Sequence, residues 1–513
     1  MSSHGHTSKE REKFMSSLFR LHPLIATENG VDDYNHLCGD PWGEQTRLDE
    51  LSLIKKYSGN KDPIFRAFLR DRRRLLSQQT LSVTIFDGHS NLCDRIVDIY
   101  SSFQPLERKE DVYRAIERSR GIPNALQAFF RTVERSVSLS GEEVVSNFLV
   151  SLRNLMSALP YERRIRPFPN LRDALKTNFE NPVLRFLSGS GHILSLCPEF
   201  LSHHAICHAR EPSVYKSMLS FHSTLRNPDP DAIYRVGKRE VSRIQTLLRK
   251  LRPAPPLHVL PRQHVISAYR QTADSIREED LTRLFGSLRP SVSFSLSSVP
   301  PHLEHKNPLA YYHGSVKASA STAGQPAVVL LNLSLPHVVR GVDSLLFHEA
   351  VPGHHFQLQI QDDLNLPDYR HICNHCAFEE GWAMYAESLL PPPSGMEGRR
   401  GVLESELFRA CRLVVDVGLH CHGWVQGKAE EYLKRTCPFL PEKEVKSEVL
   451  RYMCCPGQAC CYTLGLLSIR HHVKRELKKG KRISSIHSSL LKKGSLPLSS
   501  LISDEDEKHL FNA

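Results

Sequence analysis

Across residues 14 to about 250, apolar side chains recur at three- and four-residue spacing, as in "DVYRAIERSR" and "YRVGKREVSRIQTLLRKL". That spacing gives each segment one apolar stripe of a helix, so this part of the chain is read as successive amphipathic helices. It carries no evident chemistry. The proline-rich stretch "RPAPPLHVLP", residues 252 to 261, marks a seam. It separates an N-terminal helical region, 14–251, from a second region, 262–513.

Beyond the seam the period changes to two. In "SVSFSLSSV" Val292, Phe294 and Leu296 alternate with serines, and "AVVLLNLSL" follows after a turn-rich stretch, which predicts a small sheet over about 290–335. Helical spacing resumes from 342 to about 478, with interruptions at "PPPSGMEG" and "CCPGQ". No internal repeat is found.

Composition narrows the class. With 40% hydrophobic and 24% charged residues the 513-residue chain is an ordinary globular protein. No apolar run approaches the roughly 20 residues that span a bilayer, and "MSSHGHTSKEREK" lacks the charged-then-apolar order of a signal peptide. Thirteen scattered cysteines suggest reduced thiols, not a disulfide framework. These features predict a cytoplasmic protein with no membrane partner. The net charge of +11 sits in runs such as "RDRRRLL" and "KRELKKGKR" without a recognition module, so nucleic-acid binding is not expected.

Chemistry concentrates in "LLFHEAVPGHHFQLQI", residues 345–360. His348 and Glu349 open like the HExxH helix of zinc peptidases, but the position of the second histidine is held by Pro352. On an unbroken helix His354 would point about 120° away from His348, and His355 would lie about 10.5 Å further along the axis. Neither could share a zinc. Pro352 removes an amide donor and clashes with the His348 carbonyl, while Gly353 frees the backbone, so the helix must break. The segment can form a metal site only if that break folds the chain back.

Three further segments bear on this. "FEEGWAMYAESLL", residues 378–390, sets Glu380 and Glu387 seven apart on one face of an apolar helix, where a carboxylate is costly without a partner. Zinc would be such a partner, and two histidines with a downstream glutamate form the set of a catalytic zinc with an open position. In "FRACRLVVDVGLHCHGW" Arg412, Asp416 and His420 fall at four-residue spacing, either as functional groups or as a buried structural ladder. "RYMCCPGQACCYTLGLL" places Tyr452, Gln458 and Tyr462 around a second Pro-Gly break.

These four segments resemble the domain of unknown function 885 family, whose members are similar to gluzincin-type zinc peptidases. The pattern HExxPGHHxQ is matched from His348 to Gln357, EGWAxYAE from Glu380 to Glu387, RACRLVVDxGLHxxGW from Arg409 to Trp424, and RYxxxPGQAxxY from Arg451 to Tyr462. "HPLIATENG" and "LLKKGSLPL" extend the resemblance over nearly the whole chain. It implies a mainly α fold: two helical halves around a deep cleft, with the small sheet as one wall beside the active-site helix. It also implies one zinc per chain held by His348, His354 and Glu380, with His355 the alternative to His354.

In that reading Glu349 is the general base, Tyr462 or His420 stabilises the oxyanion, and Arg412 anchors a substrate carboxylate. The expected activity is zinc-dependent hydrolysis of a peptide bond. Two alternatives are a zinc hydrolase of a non-peptide amide and an inactive helical scaffold. The segment "HICNHC", residues 371–376, offers a CxxC pair for a separate structural zinc. The expected partner is a peptide or small amide substrate, and oligomeric state is not legible. The region from about 245 to 300 is shorter than the family pattern, and Cys454, Cys455, Cys460 and Cys461 crowd the Pro-Gly-Gln block.

Overall fold

The structure is a computed structural model that describes residues 2–77, 85–86, 91–138, 140–197, 212–251, 256–301, 304, 307–314, 326–373 and 375–511. The first residues of the proline-rich seam and the center of "HICNHC", Asn374, lie outside these.

The chain is mainly helical, with one small sheet. The periodic segments of the first half become helices such as Lys109–Val137 and Pro230–Lys250. Along Lys109–Val137 the buried face runs through Ala115, Ile122, Leu126, Phe129 and Val133, the apolar stripe expected from the spacing. Pro230–Lys250 starts where its chemistry says it should, with Asp229 accepting a hydrogen bond from the Asp231 amide at 3.2 Å and Pro230 in the first turn. It lies along the long helix Met396–Cys421, so a single buried apolar cluster joins residues on both sides of the seam, from Val236 and Ile244 to Leu413 and Val417.

Three strands form the sheet: β1 (Phe294–Ser298), β2 (Ala310–His313) and β3 (Ala327–Leu331). Their order is β1-β3-β2, with β1 parallel and β2 antiparallel to the central β3. In register, Tyr312 of β2 faces Val329 of β3. Val329 and Leu331 pack with Leu346 and Ala350 from the helix Val342–Glu349. That shared core sets the edge strand β2 beside the His348 helix.

Candidate metal centre

The break at Pro352 does fold the chain back. The helix carrying His348 ends at Glu349, and a new one, His354–Asp363, starts five residues later. Gly353 is needed for closeness, not for a left-handed backbone: its φ is −79°, and a Cβ there would stand 1.9 Å from the His348 carbonyl oxygen. Trp382, fully buried, donates from Nε1 to the Pro352 carbonyl at 2.9 Å and ties the bend to the helix Cys376–Ala386.

That helix carries Glu380, and its own position is set by a close crossing. Gly381 meets Gly465 of the helix Cys461–Lys478 so tightly that a Cβ on Gly465 would lie 1.8 Å from the Ala377 carbonyl oxygen. Two glycines thereby bring the Glu380 and Tyr462 helices into backbone contact, and both residues sit within a turn of the crossing.

The outcome is a convergence of His348, His354 and Glu380, whose ligand atoms all lie within 4.8 Å of one another. Among the described residues this is the single such group, and "HICNHC" does not form one. Glu380 Oε2 is 3.3 Å from His348 Nε2 and 3.4 Å from His354 Nε2. It is buried and completes no hydrogen bond of good geometry with either. Separations of this size suit a different job: with bonds of about 2.0–2.1 Å, two ligands of a tetrahedral zinc stand roughly 3.4 Å apart. The donor set of two imidazole nitrogens and one carboxylate oxygen, with an orphaned oxygen at its center, therefore fits a zinc ion.

His348 is held from its other side. Its Nδ1 meets Glu387 Oε1 at 2.8 Å, and Ser344, one turn earlier on the same face, donates to Glu387 Oε2. This is the carboxylate-histidine pairing that fixes the tautomer of a metal ligand. Burial opposes a charge on His348, but the nearby Glu380 carboxylate, the hydrogen bond to Glu387 and the field of Glu349 win, and its pKa is pushed up to about 9. Burial likewise opposes ionisation of Glu380, yet the fields of His354 and His348 hold that carboxyl well below the usual range. Without a metal, a proton on His348 supplies positive charge there.

Glu349 is buried beside the trio and accepts a hydrogen bond from the Tyr312 amide of β2 at 3.0 Å. Burial raises its pKa, partly offset by the two histidines. The Tyr462 ring lies nearly parallel to that of His348, at 6.5 Å and 14°. Burial and the Glu380 carboxylate push its phenol above the ordinary value, so it keeps its proton. The guanidinium of Arg412 packs over the same ring, 4.3 Å from its center.

Two expected residues lie elsewhere. His355 turns away from the trio: its Nδ1 is 3.3 Å from the Tyr312 hydroxyl, its ring packs against Phe294, and burial drives its pKa down to about 4. On the new helix it diverges from His354 by about 100°, as adjacent helical residues do, and so faces other neighbours. His420 meets the Tyr452 carbonyl at 2.9 Å through Nε2 and stacks on Tyr215, so the oxyanion role expected of it is withdrawn. Asp416, of the same stripe, takes bonds from the Tyr215 hydroxyl at 2.6 Å and the Gly457 amide at 2.9 Å. The stripe is thus partly a structural ladder.

Sequence reasoning gave no role to Glu387, Trp382 or the Tyr312 amide. The seven-residue offset of Glu387 from Glu380 was a signal for the first. The other two are contacts between distant segments that no local spacing announces.

A mainly helical chain with a partly buried two-histidine, one-glutamate cluster beside a small sheet is the class that fold and site define. Within it, the chain belongs to the family described as "Bacterial protein of unknown function (DUF885)", which it matches over residues 43–503. No curated protein matches its sequence. Among solved structures it is similar to one described as "the putative lipoprotein from Colwellia psychrerythraea", with a TM-score of 0.81 and 20% identity over 100% of both chains. It is also similar to "a putative lipoprotein of unknown function from Shewanella oneidensis", with a TM-score of 0.69 and 15% identity over 96% of this chain and 98% of the other. These likenesses establish the fold. They also overturn the cytoplasmic placement read from the sequence: both proteins sharing the fold are described as lipoproteins, so the fold gives no ground for it. No helix among the described residues is long and apolar enough to cross a membrane.

Proposed function

We propose that the chain is a zinc-dependent hydrolase, acting as a metallopeptidase on peptide bonds. The observation that carries this is the orphaned Glu380 oxygen, 3.3 and 3.4 Å from two imidazole nitrogens, with a second carboxylate, Glu349, beside it. His348, His354 and Glu380 would hold one zinc per chain, which when bound is a Lewis acid that eases deprotonation of water and polarises a carbonyl. Glu349 accepts the proton of the attacking water and passes it to the departing amine. Its raised pKa suits a group that must both take and return a proton, and the Tyr312 amide holds it in place. Tyr462, protonated, donates to the oxygen on which negative charge develops. Glu387 keeps the Nε2 of His348 free for metal by engaging Nδ1.

The same reading includes a gluzincin-like cleft between the helical halves, with the edge strand β2 as one wall. A non-peptide amide would be hydrolysed by the same groups. The test is elemental analysis together with peptide digestion. Protein purified without chelator is expected to carry about one zinc per chain, and Glu349→Gln to keep it while losing about 10²- to 10⁴-fold in turnover. A chain that neither holds nor gains zinc, or a Gln variant with wild-type turnover, would sink the proposal.

A further inference from the structure

Beside Tyr462 lies a cluster with more positive than negative charge. Arg412 donates from Nε to the Tyr452 hydroxyl at 3.2 Å and from Nη2 to Glu448 at 3.0 Å, while its buried Nη1 has no hydrogen-bond partner among the described residues. Arg451 shares Glu448, at 3.2 Å from Nε and 3.0 Å from Nη2, and spends Nη1 on Gln458 at 2.5 Å. One carboxylate thus answers two guanidinium groups. The next acid, Glu444, is pushed up to about 7 by burial and by Glu448, and so supplies only part of a charge at neutral pH. Arg409, close enough to act on Glu387, adds a third cation whose buried Nε lacks a partner.

A buried guanidinium nitrogen left unpaired beside excess positive charge is an anion site awaiting its ion. Its position says which anion. The Arg412 guanidinium is 4.3 Å from the Tyr462 ring center, and that ring is 6.5 Å from the ring of His348. The guanidinium therefore lies within about 11 Å of the His348 ring, a range that admits one extended residue of about 3.5 Å and a salt bridge of about 4 Å.

Resting on the hydrolase reading, we propose that the site takes peptides ending in a free carboxylate. Arg412, assisted by Arg451, grips the terminal carboxylate one residue beyond the bond that is cut, so the protein releases C-terminal residues. In that step water adds its oxygen to the carbonyl carbon and the C–N bond breaks. The proton taken by Glu349 leaves on the amine of the freed amino acid.

The test compares three blocked peptides that differ at the end: an N-acetylated Phe-Ala-Ala free acid, its C-terminal amide, and an amide ending in Glu. Turnover is measured on the zinc-loaded wild type, and binding on zinc-loaded Glu349→Gln. The free acid is expected to exceed its amide by about 10- to 100-fold in both, as one charge-assisted hydrogen bond would give. Arg412→Gln in either background should collapse that ratio toward one. Arg451→Gln should reduce it less, and provides a second test should Arg412→Gln melt early.

Equal handling of acid and amide would overturn the proposal, as would a Glu-ended amide that matches the free acid, since a side chain would then be what is read. Hydrolysis without an acid preference removes this inference and leaves the hydrolase reading standing. An acid preference in binding without any hydrolysis does the reverse.

Discussion

Two clusters of histidine and glutamate among the described residues, one in each half, are balanced differently. In the first, Glu50 is fully buried, with Oε2 2.6 Å from His22 Nε2 and Oε1 accepting from Arg72 Nε at 2.5 Å. Both carboxylate oxygens are answered and the cation is covalently part of the chain. In the second, Glu349, Glu380 and Glu387 surround His348 and His354, and one oxygen of Glu380 has no good hydrogen bond. No arginine or lysine among the described residues pairs with that oxygen. A buried carboxylate cluster that lacks a built-in cation must draw one from outside, as protons or as a metal. Burial of charge is common to both; what separates a structural cluster from a candidate metal centre is whether the chain completes it.

The largest expected effect breaks this comparison if it fails. His354→Ala should lose zinc outright and hydrolysis with it. His355→Ala should keep the metal, because His355 touches Tyr312 and Phe294 and not the trio. His22→Ala should leave zinc content untouched. Elemental analysis of the three purified variants decides the matter, and metal loss in His355→Ala alone would reassign the ligand.

Next in size is the closed cluster. Glu50→Gln removes the carboxylate that answers both His22 and Arg72, and is expected to cost about 3 kcal/mol, the low end for stranding a buried partner, since Arg72 keeps some contact with solvent. Denaturant melts read it directly. A cost within the roughly ±0.5 kcal/mol of an ordinary surface change would mean that the cluster is not the balanced pair described.

Glu387→Gln sharpens the contrast from the other side. It keeps the shape but weakens the grip on His348 Nδ1, and zinc affinity should fall about 10- to 100-fold, the usual cost of losing a partner of a metal ligand. Competition with a chelator measures it. Unchanged affinity would reduce Glu387 to packing.

How much of this was legible in the sequence follows from where each contact comes from. His348, Glu349 and Glu380 could be picked out because period and spacing are local properties of a helix. The helical halves and strands β1 and β3 were legible for the same reason, whereas β2, the four residues "AYYH", is too short to show alternation. That Pro352 breaks the helix followed from its missing amide. Which histidine the break delivers did not, because the direction of the return is fixed by Gly353 packed on the His348 carbonyl and by Trp382 reaching Pro352. Nothing in the sequence joined His22, which opens "HPLIATENG", to Glu50 and Arg72. The three are 28 and 22 residues apart and belong to separate helical segments, so only tertiary packing joins them.

The smallest expected effect is the pH response, in which the two clusters should fail at opposite ends of the scale. Burial raises the Glu50 pKa, but Arg72 and His22 overrule it and bring it down to about 2. A carboxyl depressed on folding contributes stability above its unfolded value near 4.5, and that contribution is lost as pH falls toward 2. His348 in chelator-treated protein runs the other way. Raised to about 9, it contributes fully below its unfolded value near 6.5 and loses that contribution as pH rises through 9. Each tenfold gain in proton affinity on folding is worth about 1.4 kcal/mol. With water entering the cluster and weakening these fields, the metal-free protein should lose about 1 to 2 kcal/mol as pH rises from 6.5 through 9. With zinc bound, both imidazoles are neutral ligands and the metal replaces the protons, so this alkaline loss should vanish while the acid loss from Glu50 stays. Melting curves from about pH 3 to about pH 9.5, with and without zinc, distinguish the cases. An alkaline loss that persists in zinc would show that His348 keeps its proton there and is not a ligand.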